Sequence, residues 1–170
     1  MTTKILFGVG LAAAIALSAP AAWSQDKASQ TFIKNAIEGN LAEIQMGQLA
    51  QKNGSSEGVR SFGQMLERDH TDANEKAMTV AKDIGVTPPN QPNAKQKAEH
   101  DRMLKLTGTR FDSEFARMMV ADHKKDISEF QKEAKKNDAA GSFAKETLPT
   151  LQKHLEAALS LAASGTTGKR

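Results

Sequence analysis

Three breaks divide the chain, and the segments between them are too long and too evenly periodic to be strands. Asn53-Gly54-Ser55-Ser56 interrupts the first segment, Gly85 with Pro88 and Pro89 ends the second, and Asn137-Asp138 interrupts the third. Alternating β-branched runs are lacking, and Ala, Leu, Lys, Glu, Gln and Met, which lose little side-chain freedom in a helix, dominate. The spacing predicts four long helices at about 28–53, 57–84, 110–136 and 140–163, with a short helix near 94–106 on the long connection between the second and third. Pro149 falls inside the last helix, where it either kinks it or marks a later start.

At about 100° per residue each long helix carries one apolar stripe. Phe32, Ile33, Ala36, Ile37, Ile44, Gly47 and Ala50 share an arc on the first. Val59, Phe62, Leu66, Ala73, Ala77, Val80, Ala81 and Ile84 do so on the second. Phe115, Met119, Val120, Ile127, Phe130 and Ala134 line the third, and Ala144, Leu148, Leu151, Leu155, Ala158 and Ala162 the fourth. Four such stripes predict an all-α fold, a four-helix bundle.

Polar residues interrupt these stripes. Asn40 and Glu43 lie inside the first arc, His70 near the middle of the second with Glu67 at its edge, His123 centrally in the third, and His154 toward the side of the fourth. His100 sits on the short connecting helix and does not join them. A rise of about 1.5 Å per residue puts His70, His123 and His154 near mid-bundle, with Glu43 and Glu67 at a similar level. Imidazole and carboxylate suit iron, manganese, zinc or copper, so these five residues are the candidate metal ligands. Imidazoles more than about 8 Å apart would remove the site, because metal–nitrogen bonds are near 2 Å. Glu67-Arg68-Asp69-His70 has the Glu-x-x-His spacing of di-metal carboxylate centres once, but Val120 and Leu151 stand where a second copy needs Glu. In a purely structural reading the same histidines hydrogen-bond to Asp69, Asp122 or Glu43, and the scattered methionines fill the core.

The ends speak to location. Lys4, the apolar run Ile5–Ala19 and small residues around Pro20 have the layout of a secretory signal peptide, expected over residues 1–24. Residues 25–163 then form one domain and 164–170 a flexible tail. The run is short for a membrane span and no second one follows, so no transmembrane span is expected in the mature chain. Without cysteine there is no disulfide framework, thiolate metal site or lipid-anchoring residue. Loss of Lys4 lowers the formal charge from +3 to +2, with both signs interspersed, which argues against nucleic acid as a partner. Nucleophile-elbow and phosphate-loop motifs are absent.

Several phrases together resemble an exported bacterial family, the domain of unknown function 4142. They are Glu43-Ile44-Gln45-Met46-Gly47-Gln48-Leu49-Ala50, Asp69-His70-Thr71, Leu106-Thr107-Gly108 running into Phe111-Asp112, Asp122-His123, and Leu148-Pro149-Thr150-Leu151 through His154-Leu155. The resemblance covers about residues 28–162 and implies an export signal followed by a ferritin-like bundle, with Glu43, His70, His123 and His154 at matching positions. It implies no reaction. Two functions follow as expectations. The first is a non-catalytic envelope protein acting in protein interaction or envelope stress. The second is a periplasmic bundle binding a transition metal for storage, buffering or redox protection. Location is expected to be periplasmic, with outer-membrane association or secretion as variants.

Overall fold

The computed structural model describes residues 27–167, with side chains through 164. Five helices follow one another: α1 (Lys27–Asn53), α2 (Glu57–Asp83), α3 (Ala94–Met103), α4 (Gly108–Glu133) and α5 (Ala139–Thr167). No strand occurs among the described residues. The expected leader lies outside them. The boundaries meet the sequence expectation closely; α5 runs on past 163 to Thr167, and residues 168–170 of the expected tail lie outside the description.

Local chemistry explains the ends. Ser56 Oγ caps α2 by accepting from the Val59 amide (3.3 Å), and Asn93 and Gln96 form a reciprocal capping box on α3. Asp138 Oδ1 accepts from the Gly141 amide at the start of α5 (2.7 Å). At the end of α2, Gly85 takes φ +68°, which lets the Val86 amide reach the Ala81 carbonyl (2.8 Å) and the Gly85 amide the Lys82 carbonyl (3.2 Å). Pro149 does not delay the start of α5. It is exposed, as is Lys145 one turn before it, so the carbonyl left without a helical partner faces water.

Cross-links at the two ends fix the topology. Asp112, on the first turn of α4, accepts from the Ser55 amide, Ser55 Oγ and the Ser56 amide at 2.8–2.9 Å, tying the α1–α2 turn to the start of α4. At the other end Ser29 bonds Glu133 (2.7 Å), tying the start of α1 to the α4–α5 turn, and Gln30 reaches the Ile84 carbonyl (3.4 Å). Thus α2 finishes at one end and α4 begins at the other. The connection carrying α3 traverses the long dimension, and α2 and α4 run in the same direction.

Gly47 and Gly63 set the spacing of α1 and α2. A Cβ on either would stand 2.6 Å from the other's carbonyl oxygen, a backbone clash that only separation of the helices would relieve. The interior is two apolar clusters. One gathers Ile33, Ile37, Ala77, Ala81, Phe130, Phe143 and Leu151; the other Leu49, Ala50, Val59, Phe62, Leu66, Phe111, Phe115 and Met119. Along α1, α2, α4 and α5 the polar residues Asn40 and Glu43, His70, His123 and His154 fall between the two clusters in sequence. They form a buried polar layer.

Candidate metal centre

A different neighbour holds each imidazole in that layer. His70 Nδ1 donates to Asn40 Oδ1 on α1, His123 Nδ1 to the Met119 carbonyl one turn earlier on α4, and His154 Nε2 to Asp69 Oδ2 on α2, all at 2.9 Å. All three partners are acceptors, so each neutral ring keeps its one hydrogen on the outer nitrogen and a lone pair on the other. The remaining nitrogens converge. One ring nitrogen from each histidine lies within 4.8 Å of the other two, and the ring centroids are 5.2, 5.3 and 5.9 Å apart. His123 Nε2 is 3.3 Å from His154 Nδ1, and His70 Nε2 is buried with no hydrogen-bond partner.

Three such nitrogens together in the interior form a donor set that could hold a cation. A single bridging water has only two hydrogens to donate and would leave one nitrogen bare. A proton is disfavoured by burial, which pushes the His123 imidazole down to about 4 and the His70 imidazole well below its usual value, each with help from neighbouring histidines. Burial also lowers His154, against the pull of Asp69. A first-row metal ion fits the donor set. Tetrahedral bonds of about 2.0–2.1 Å to nitrogen put ligand atoms about 3.3–3.4 Å apart, the spacing His123 and His154 already have. Any wider separation, up to 4.8 Å, involves His70.

The outer contacts follow the pattern by which ligating histidines are oriented by a carboxylate or carbonyl on their far nitrogen. Burial raises the Asp69 carboxyl, but hydrogen bonds from His154 and Arg68 prevail and hold it below its ordinary range, so it stays an anion against the His154 N–H. Phe62 packs edge-on against His154 at 6.1 Å between centroids.

Of the five residues expected at the site, the structure brings three together. Glu43 is buried beside the layer, with Oε2 unpartnered, and shares with His70 the wall of a cavity of about 280 Å³; it is not within the group of three nitrogens. Glu67 does not belong. Its carboxylate turns to the surface and takes hydrogen bonds from Gln48 (2.8 Å) and Gln51 (2.6 Å) of α1, which hold its pKa below the ordinary value. The edge of a helical stripe is where two such polar neighbours outweigh a place inside. Two contributors escaped the periodicity. Asn40 counted only as a polar interruption of the α1 arc, and its role as His70's acceptor depends on the close approach of α1 to α2. Asp126 drew no notice, although its spacing of four from Asp122 was the available signal.

The arrangement defines an all-helical protein with a buried tris-imidazole cluster. The chain belongs to the family described as "Domain of unknown function (DUF4142)", whose sequence pattern matches residues 13–161. Among solved structures it is similar to a DUF305 fragment from Deinococcus radiodurans, with a TM-score of 0.71, 10% identity, and coverage of 81% of this chain and 96% of that one. At that identity the likeness is one of fold. No curated protein matches the chain.

Proposed function

We propose that this protein is an exported, ferritin-like four-helix bundle of the bacterial periplasm that binds one transition-metal ion at His70, His123 and His154. The observation that carries the reading is the set of outer hydrogen bonds: Asn40, the Met119 carbonyl and Asp69 each take the proton that would otherwise stand between the rings. A packing role for the histidines gives no reason to aim three lone pairs at one point. The crossover between α2 and α4 and the length of the four main helices support the ferritin-like description. Imidazole ligands suit zinc, copper and iron, with manganese favoured only if carboxylate joins them. Storage, buffering or redox protection are the roles a bundle with one such site would serve.

The protein-interaction or envelope-stress role has less support. Met78, Leu104 and Leu159 are the exposed large apolar side chains among the described residues, and they lie on three separate segments. No described helix is long and apolar enough to cross a membrane.

The test is elemental analysis of protein purified without chelator, with thermal melts in added iron, manganese, zinc and copper. One equivalent of metal and a raised melting temperature are expected, because an ion that binds only the folded state stabilises it by about 4 kcal/mol at a thousand times Kd. Absence of metal and of any shift would leave the histidines as hydrogen-bonding core residues.

A further inference from the structure

The cavity beside the histidine layer is not explained by the metal centre alone. Its wall draws on α1, α3 and α4, and it reaches from His70 to a rim where the Lys95 and Lys125 side chains are 83% and 64% exposed. Carboxylates line the way in. Asp122, Asp126 and Glu129 follow one another at spacings of four and three along α4, Glu99 faces them from α3, and Glu43 stands deepest on α1. Side chains at those spacings are about 5–6 Å apart. The Glu129 and Asp126 side chains are 42% and 28% exposed, whereas Glu43 and His70 are buried.

A row of acids is not in itself a site, but two deep residues of this wall each carry a buried, unpartnered atom. Glu43 Oε2 and His70 Nε2 are both buried in this wall without a hydrogen-bond partner. Such bare atoms lose the hydrogen bonds water would give them, and a cation passing beside them would supply a partner. The nearby charges reinforce the picture. Burial, and then the neighbouring Asp122, Asp126 and Glu99, raise the Glu43 carboxyl well above its ordinary value, so these groups share one field. Lys125 pairs with Glu129 (3.1 Å) and Asp126 (3.6 Å), and Lys95 with Glu99 (3.7 Å), at the rim; Asp122 and Glu43 have no such ion pair. The lysine ion pairs therefore gather at the rim, and none reaches the buried Glu43 carboxyl, whose neutral form burial favours.

We propose that this acidic cavity is the intake route by which a divalent cation, shed of part of its water, passes from solvent along Glu129, Asp126 and Asp122 to Glu43 and is handed to His70. The proposal rests on the metal-centre reading above. On the opposite flank Asp69 closes over His154 and is itself held by Arg68. His70, the one member of the histidine group that lines the cavity, stands at its inner end. α3 covers the route lightly, with only Met103 buried among its residues.

The experiment is stopped-flow mixing of the metal-free full chain with Co(II), whose visible absorption reports coordination by nitrogen, with Zn(II), Cu(II) and Fe(II) measured by competition. In Asp122→Asn/Asp126→Asn the loading rate should fall roughly tenfold, the lower end of electrostatic steering effects, with one equivalent still bound at equilibrium. In the unmodified chain, raised ionic strength should slow loading, a measurement that needs no variant to fold. Glu99→Gln, at an exposed position, should slow it by a smaller factor. Equal loading rates in all variants and no salt dependence would overturn the route and leave the centre standing. If the unmodified chain takes up none of the four ions, the centre itself fails, and the route with it.

Discussion

The two flanks of the histidine layer differ in how completely they are satisfied. On the α2–α5 flank, His154 donates to Asp69, Asp69 is gripped by Arg68, and Phe62 packs against the ring. On the α1–α4 flank, Glu43 Oε2, Asn40 Nδ2 and His70 Nε2 are buried without partners beside a cavity, and Glu43, Asp122 and Asp126 are all raised above ordinary carboxyl values, chiefly by burial. The first flank is closed by hydrogen bonds and ring packing; the second leaves buried polar atoms beside a cavity. Buried polar atoms are normally paired, and of the four exceptions among the described residues all but Asn74 Oδ1 belong to residues lining this cavity.

The largest expected effect comes from the ligands that join the flanks. His70→Ala, His123→Ala or His154→Ala should each lower metal affinity by more than about 100-fold, beyond the range for outer contacts, as read by isothermal titration. Retention of tight binding in all three would end the comparison. Asp69→Asn breaks the sealed flank without touching a ligand, and should cost about 10–100-fold because His154 loses the anion that fixes its tautomer. Asp112→Ala removes the clamp between the α1–α2 turn and α4. It should cost about 1–2 kcal/mol of stability by denaturant titration, with metal affinity unchanged, so that loss of fold stability and loss of the site stay separable.

The smallest effect, and the most discriminating, is in acid. His123 titrates at about 4 in the folded chain against 6.5 unfolded, so the unfolded state binds more protons in that window and the metal-free protein loses stability as pH falls through it. Asp126 works the other way. Burial lifts it from 3.8 to about 6, so it destabilises the fold as pH rises across that range and recovers stability on acidification. Asp126→Asn should therefore be more stable than the parent at neutral pH and lose stability more steeply on acidification, as followed by chemical denaturation across pH 4 to 7. A parallel pair of curves would remove the claim that His123 and Asp126 titrate in opposition.

Much of this was open to a reader of the sequence. The breaks at 53–56, 85–89 and 137–138 located the main helix ends because glycine, proline and side-chain caps act locally. His70, His123 and His154 were set inward because each sits within an apolar stripe whose angle the helix repeat fixes. Glu67 shows the limit. It lies at a stripe edge, and Gln48 and Gln51 on the neighbouring helix draw it out. Met46 and Leu49 are buried although the α1 arc omitted them, because Gly47 and Gly63 bring α2 close enough to cover a wider face.

By itself, then, the sequence determined an all-helical chain, its punctuation, and the level and facing of three histidines, because helix geometry converts spacing into angle and height without reference to other segments. Only the tertiary structure decided that the three rings meet, which nitrogen of each carries the hydrogen, that Glu67 stands apart, and that one flank is sealed while the other opens into an acidic cavity. Those are relations between helices, set by how closely α1 approaches α2 and by which acceptor each ring finds across an interface, and no periodicity along one segment contains them.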